Sequence, residues 1–90
     1  MAISYDPAKN ERNVRERGLS FDRAADFDFT TAAFNTEIRK GEIRRVATGY
    51  LGKRLHLLCY IPTPDGIRVI SFRKANSREA KRYGKPQTID

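Results

Sequence analysis

The chain has 90 residues, 32% of them charged, and a formal net charge of +7. This length supports one hydrophobic core and predicts a single domain over residues 1–90. No apolar run of about 18 residues is present, which excludes a membrane-spanning helix, and the single cysteine, Cys59, excludes an internal disulfide. Because the N-terminus also lacks a secretory signal pattern, we expect a cytoplasmic protein without a membrane partner.

The positive charge is concentrated in the second part of the chain. Residues 1–37 contain 5 Lys and Arg against 7 Asp and Glu, whereas residues 38–90 contain 13 against 4. This asymmetry indicates a surface that faces a polyanion, above all RNA, or an acidic partner. The alternative is a basic, solvated exterior with no specific partner.

The first third of the chain is predicted to form one strand and two helices. Residues 2–5 read as a short strand. Asp6 is the predicted N-cap of a helix over residues 7–17, which ends at Gly18 because glycine readily adopts the left-handed conformation. A second short helix over residues 21–27 follows at once, so the two helices form a tight corner.

The remaining residues are predicted to form four strands and a final helix. The strands are expected at about residues 30–38, 42–50, 54–61 and 67–73. A capping box from Asn76 to Glu79 opens a helix that continues through Tyr83, and residues 84–90 are expected to be a frayed tail. The order β-α-α-β-β-β-β-α predicts an α+β fold with an antiparallel meander, helices on one face and the other face open for a ligand.

Common enzyme motifs are missing from the sequence. There is no Gly-rich phosphate loop and no Ser/His/Asp pattern. His56 and Cys59 fall on opposite faces of a strand, so they cannot share a metal ion, and we expect neither a metal nor a cofactor. His56 is flanked by leucines and is predicted to be a structural sheet histidine rather than a general base.

The segment from residue 67 to residue 83 is the most informative. Strict alternation along its strand predicts two sides, one with Arg68, Ile70, Phe72 and Lys74 and the other with Ile67, Val69, Ser71 and Arg73. On the helix, Arg78 and Arg82 share one face, and Glu79 and Tyr83 share the next. Guanidinium groups clustered at a strand-to-helix junction are suited to phosphate. The alternative is a set of ordinary exposed helix pairs.

Four motifs in this order resemble a known family. They are Tyr5-Asp6-Pro7-Ala8-Lys9-Asn10, Arg15-Glu16-Arg17-Gly18-Leu19-Ser20-Phe21, Gly41-Glu42-x-Arg44 and Arg68-Val69-Ile70-Ser71-x-Arg73-Lys74-Ala75-x-x-x-Glu79-x-x-x-Tyr83. Over about residues 3 to 83 the chain resembles BrnT, the toxin of a bacterial type II toxin–antitoxin system. It departs from the family at two places: Arg17 stands where His is frequent, and residues 61–65 replace a frequent Thr-Glu-Arg.

The resemblance implies a RelE-like ribonuclease fold and RNA cleavage that arrests translation. It also implies inhibition by a BrnA antitoxin in a hetero-oligomeric complex. Operator DNA would be bound only through the antitoxin, which carries the DNA-binding domain.

We therefore expect a metal-independent endoribonuclease in which a ribose 2′-hydroxyl attacks the adjacent phosphate. The predicted catalytic set is Glu42, Arg44, Arg68, Arg73, Arg78, Glu79 and Tyr83, with Lys74, Lys81 and Arg82 binding RNA. Glu42, Glu79 and Tyr83 are the candidates for the general base, and Glu42 is favoured because it matches the Gly-Glu-x-Arg motif. An ordinary ion pair between Glu42 and Arg44 is the competing interpretation.

Two other functions remain open at this point. The chain could be a non-catalytic basic module that binds only an antitoxin and acts as a co-repressor. A DNA-binding repressor is disfavoured because no helix-turn-helix or ribbon helix is evident.

Overall fold

A computed structural model describes all 90 residues. The elements are β1 (Ala2–Ser4), α1 (Pro7–Arg17), a 3₁₀ helix (Phe21–Asp26), β2 (Ala33–Arg39), β3 (Glu42–Leu51), β4 (Arg54–Thr63), β5 (Gly66–Lys74) and α2 (Ser77–Tyr83). The α+β class is confirmed, and the five strands occur in the predicted order. None of the helices has the length and apolar character needed to cross a membrane.

The N-terminal corner forms as its local signals predict. The Asp6 carboxylate accepts a hydrogen bond from the Ala8 N–H, and α1 ends at Gly18 with a φ of 64°. The Ser20 hydroxyl caps the next segment by accepting from the Asp22 N–H. That segment is a 3₁₀ helix and not the α-helix expected: the Arg23 N–H donates to the Ser20 carbonyl and the Phe27 N–H to the Ala24 carbonyl, so its bonds join residues three apart.

The sheet has the strand order β1-β5-β4-β3-β2. Strands β2 to β5 form the predicted antiparallel meander, and the hairpin between β2 and β3 turns at Lys40 and Gly41, which both have positive φ. The expectation of a purely antiparallel sheet is wrong, because β1 pairs with β5 in parallel. The helical corner and strands β2 to β4 lie between these two strands in the sequence and together form the crossover that a parallel pair needs.

The prediction that side chains alternate strictly along β5 is also wrong. The register of β4 and β5 shifts between Cys59 and Tyr60, so that Cys59 pairs with Ser71 while Tyr60 pairs with Val69. The extra residue, Ile70, is a β-bulge, which changes the parity of the strand. As a result Val69 and Phe72 both point into the main core, although they lie three positions apart and strict alternation would place them on opposite faces.

Two hydrophobic clusters lie on opposite faces of the sheet. The main core joins the corner to one face and includes Phe21, Ala24, Leu58 and Phe72. A smaller cluster joins α2 to the other face through Ala80, Leu55 and Tyr50. Leu55 and Leu58 project from opposite sides of β4, so the prediction that all helices pack on one face is wrong. The face with the smaller cluster is therefore open to a ligand only where α2 does not cover it.

The C-terminal tail is bound to the sheet and is not frayed as expected. The Leu55 N–H donates to the Gln87 carbonyl at 2.8 Å, and the Ile89 N–H donates to the Lys53 carbonyl at 2.8 Å. The Tyr50 hydroxyl donates to the Pro86 carbonyl at 2.8 Å. These bonds continue the pairing at the start of β4, where Arg54 bridges to Thr88, and they satisfy backbone groups that would otherwise face solvent.

Candidate functional site

Arg73 is held in place at the end of β5 by the first turn of α2. Its guanidinium donates two hydrogen bonds to the Glu79 carboxylate, at 2.9 and 2.7 Å. Glu79 also accepts from the Asn76 N–H, while the Asn76 side chain accepts from the Glu79 N–H, so the predicted capping box is confirmed. One carboxylate therefore caps α2 and fixes the orientation of Arg73.

This arrangement keeps both groups charged. The hydrogen bonds from Arg73 lower the pKa of the Glu79 carboxyl, and the Asn76 N–H lowers it further. The same contact raises the pKa of the Arg73 guanidinium. Glu79 is thus stabilised as an anion with its oxygens already engaged, which weakens it as a proton acceptor.

A groove of about 450 Å³ lies beside α2 on the face that carries the smaller cluster. We call it the sheet groove; its lining residues are Asn35, Thr36, Glu37, Val46, Leu57, Arg73, Glu79, Arg82 and Tyr83. The Asn35 amide donates to the Tyr83 hydroxyl across it. The sheet groove therefore combines two arginines with two carboxylates.

A second concavity, of about 530 Å³, lies where the helical corner meets the ends of β3, β4 and β5. We call it the corner cleft; its lining residues are Arg17, Gly18, Leu19, Arg23, Leu51, His56, Arg73 and Lys74. It contains four cationic side chains and no carboxylate. Arg73 lines both concavities and connects them.

His56 is buried, with 4% of its surface exposed, and its ring lies 5.5 Å from that of Phe72. Its Nδ1 is 2.8 Å from the Arg54 carbonyl oxygen. A carbonyl can only accept, so Nδ1 carries the proton and Nε2 keeps its lone pair. Burial lowers the pKa of His56 below its ordinary value, and the cations Arg54, Lys74 and Arg23 lower it further, so the ring is neutral at neutral pH.

Asn13 joins the corner to the sheet. Its buried side-chain amide donates to the Leu19 carbonyl at 2.8 Å and to the Phe72 carbonyl at 2.9 Å. Its oxygen accepts from the Arg17 guanidinium at 3.0 Å. Asn13 therefore satisfies an edge carbonyl of β5 and directs Arg17 toward the corner cleft.

The structure brings together only part of the residue set predicted from the sequence. Arg73, Glu79, Arg82 and Tyr83 meet in the sheet groove, and Lys74 lines the corner cleft. Arg78 and Lys81 are exposed on α2, and Arg68 is exposed on β5. Glu42 and Arg44 form an ion pair at 3.0 Å near the start of β3, outside both concavities.

The corner cleft and the contacts that support it include four residues that are absent from the set predicted from the sequence: Asn13, Arg17, Arg23 and His56. Arg17 precedes the helix-ending Gly18 in one of the four motifs, which was a usable signal. His56 was assigned a structural role from its leucine neighbours, and its packing against Phe72 agrees with that role. No group of three or more His, Cys, Asp or Glu side chains is arranged to hold a metal ion.

The fold and the site define a small basic α+β protein with an arginine-rich surface suited to phosphate. Residues 5–79 match the family described as the ribonuclease toxin, BrnT, of type II toxin–antitoxin systems. The chain therefore belongs to the BrnT family, and membership implies an antitoxin protein as partner and RNA as target. No curated protein and no solved structure matches the chain.

Proposed function

We propose that this protein is a metal-independent endoribonuclease with a RelE-like fold that arrests translation by cutting RNA in the cytoplasm. The observation that carries the proposal is Arg73, which Glu79 holds between two concavities, one of them lined only by cationic and neutral side chains. A fixed guanidinium stabilises the charge that builds on phosphoryl oxygens without needing to reorganise during the reaction. The family description supports the ribonuclease activity itself.

The proposed reaction is attack of a ribose 2′-hydroxyl on the neighbouring phosphate. In this account Arg73 and Lys74 contact the reacting phosphate, because both line the corner cleft. Arg44, Arg68, Arg78, Lys81 and Arg82 extend the basic surface and bind the flanking phosphates. Glu79 acts as a positioning residue for Arg73.

The three base candidates named from the sequence all have partners. Glu79 is engaged by Arg73 and by the cap of α2. Glu42 is paired with Arg44, and the Tyr83 hydroxyl accepts from Asn35. A general base needs a lone pair that is free to reach the substrate, so these contacts favour structural roles for all three residues.

We further propose that a BrnA-like antitoxin neutralises the protein in a hetero-oligomer, by covering the basic surface around Arg73. Operator DNA would then be bound only through the antitoxin. Exposed apolar side chains on the hairpin of β2 and β3 support a protein partner: Phe34 is 45%, Ile38 70% and Ile43 62% exposed. Large apolar groups on an edge strand are typical of surfaces that become covered.

Purified protein tests the proposal when it is incubated with an mRNA transcript with and without EDTA, and separately in a translating extract that keeps the Mg²⁺ its ribosomes require. We expect cleavage of the free transcript that EDTA does not abolish. Loss of this cleavage in EDTA would overturn metal independence. If folded protein cuts nothing in any condition but still binds its antitoxin, the protein is a non-catalytic binding module.

A further inference from the structure

The corner cleft differs from the sheet groove in the sign of its charge. The sheet groove places Glu37 and Glu79 among its cations. The corner cleft has Arg17, Arg23, Arg73 and Lys74 and no carboxylate. A concave site lined by one sign of charge focuses its field on an ion of the opposite sign, so the corner cleft is the better receptor for a phosphodiester.

His56 gives this cleft a proton acceptor. Its Nδ1 is committed to the Arg54 carbonyl, which leaves the Nε2 lone pair available. Nε2 has no hydrogen-bond partner in the protein, yet it is not occluded: the buried side-chain atoms that are both occluded and unpartnered are Thr48 Oγ1 and Arg54 Nε. Because His56 lines the corner cleft, the cleft is the concavity next to its ring.

We propose that the corner cleft binds the scissile phosphate of RNA and that His56 Nε2 accepts the proton of the attacking ribose 2′-hydroxyl. The inference rests on the proposed ribonuclease function and adds a site and a base to it. It differs from the expectation drawn from the sequence, in which His56 was purely structural and the base was a carboxylate or a tyrosine.

The proposed cleavage needs only the RNA, the protein and water. The 2′-hydroxyl proton moves to Nε2, a bond forms between the 2′-oxygen and phosphorus, and the bond from phosphorus to the 5′-oxygen breaks. The leaving 5′-oxygen takes a proton from water, and the imidazolium returns its proton to solvent. The products are a 2′,3′-cyclic phosphate and a 5′-hydroxyl, and the cleft cations stabilise the extra negative charge on the phosphoryl oxygens.

The surroundings of His56 keep it in the form that this role requires. Arg54, Lys74 and Arg23 act on it electrostatically, and Arg17 and Arg73 line the same cleft. All five are cations, so their field, together with the burial of the ring, favours the neutral form. A bound phosphate offsets this field and raises the affinity of Nε2 for a proton at the stage when the proton is transferred.

Kinetics of the His56→Asn variant test the assignment. The Asn amide can still donate to the Arg54 carbonyl, but it offers no basic nitrogen to the cleft. We expect kcat on an mRNA transcript to fall about 10²–10⁴-fold with KM changed only a few-fold. The control is Thr48→Val, at a fully buried position of β3 outside the corner cleft, which should keep wild-type kcat.

The outcomes of this assay separate the two claims. Wild-type kcat in a folded His56→Asn protein overturns the role of His56 and leaves the proposed ribonuclease function standing. Absence of cleavage by the wild type overturns the proposed function itself.

A binding measurement on the wild type avoids any dependence on the stability of a variant. The chain has one histidine, so its imidazole NMR signals need no assignment. A single-stranded DNA oligonucleotide lacks the 2′-hydroxyl and serves as an uncut probe. We expect saturating oligonucleotide to shift the His56 signals and to move the midpoint of their pH titration upward. Binding that leaves these signals unchanged, or no binding at low salt, overturns the cleft as the phosphate site.

Two arginine variants give this measurement a matched control. Arg23→Ala removes a cleft cation whose only partner is the exposed Asp26. We expect it to reduce the slope of log affinity against log salt by about 1 and to diminish the His56 shift. Arg15→Ala removes an exposed cation of α1 that does not line the cleft, and the His56 shift should persist. Equal effects of the two variants would contradict a specific site.

Discussion

Arg73 and Glu79 form a two-point ion pair across the junction of β5 and α2, with distances of 2.9 and 2.7 Å. The Arg73 side chain is 37% exposed, whereas the Glu79 side chain is 18% exposed. The arginine is therefore the more exposed partner and lines both concavities, whereas Glu79 lines the sheet groove alone.

Replacing Glu79 separates its two contributions. Glu79→Gln keeps an oxygen for the Asn76 N–H but loses the charge that holds Arg73, whereas Glu79→Ala loses both. We expect Glu79→Ala to lower the free energy of unfolding by about 1–3 kcal/mol, Glu79→Gln by less, and both to slow RNA cleavage. Urea unfolding and cleavage rates check this. Glu11→Gln, an exposed site on α1, is the control, and wild-type cleavage by Glu79→Ala would contradict the positioning role.

Acid should destabilise the protein in two separate pH windows. The pKa of His56 and the pKa of Glu79 are both lower in the folded chain than their ordinary values. Between the folded and ordinary values the unfolded chain binds more protons, so stability is present above the ordinary pKa and is lost as the pH falls. The windows begin near pH 6.5 for His56 and near pH 4.5 for Glu79.

Urea unfolding from about pH 8 to about pH 2 measures these windows. His56→Asn should flatten the curve in the first window alone, and Glu79→Gln in the second alone. A wild-type protein that becomes more stable between pH 7 and pH 5 would contradict the lowered pKa of His56.

Asn13→Ala should damage both the fold and the corner cleft. The substitution leaves the Leu19 and Phe72 carbonyls without their donor and releases Arg17. We expect the free energy of unfolding to fall by about 2–3 kcal/mol, and affinity for RNA to fall as well. Thermal unfolding and fluorescence anisotropy measure the two effects. Arg15→Ala, on the same helix, should change stability by no more than about 0.5 kcal/mol; equal losses in the two variants would refute the role of Asn13.

Deleting residues 86–90 tests whether the bound tail contributes to stability. The deletion removes the acceptors of the Leu55 N–H and the Tyr50 hydroxyl and the donor to the Lys53 carbonyl. We expect a loss of about 2–4 kcal/mol in the free energy of unfolding. Removal of Asp90 alone is the control and should have little effect. If the longer deletion unfolds at the same urea concentration as the full chain, the tail is frayed after all.

Local signals in the sequence predicted most of the fold. Asp6 and Gly18 delimit α1, the capping box opens α2, and the meander follows from short turns between strands. The bulge at Ile70 has no comparable local signature, because it depends on pairing with β4. The placement of α2 opposite the corner depends on tertiary contacts of Ala80 and Leu55, which periodicity cannot reveal.

The candidate site was predictable only where its residues are close in sequence. Arg73 and Glu79 are six residues apart, and their motif indicated an arginine-rich junction. His56 looked structural because its sequence neighbours are leucines. The cations that make it relevant, Arg17 and Arg23, come from the N-terminal corner and reach it only through the packing of that corner on the sheet.

The most direct test of the central claim compares an RNA with its fully 2′-O-methylated copy, incubated with purified protein in EDTA. If a ribose 2′-hydroxyl is the nucleophile, the unmodified RNA is cut to products with 2′,3′-cyclic phosphate and 5′-hydroxyl ends, and the methylated copy stays intact. Equal cleavage of both, or products with 5′-phosphate ends, would contradict the account.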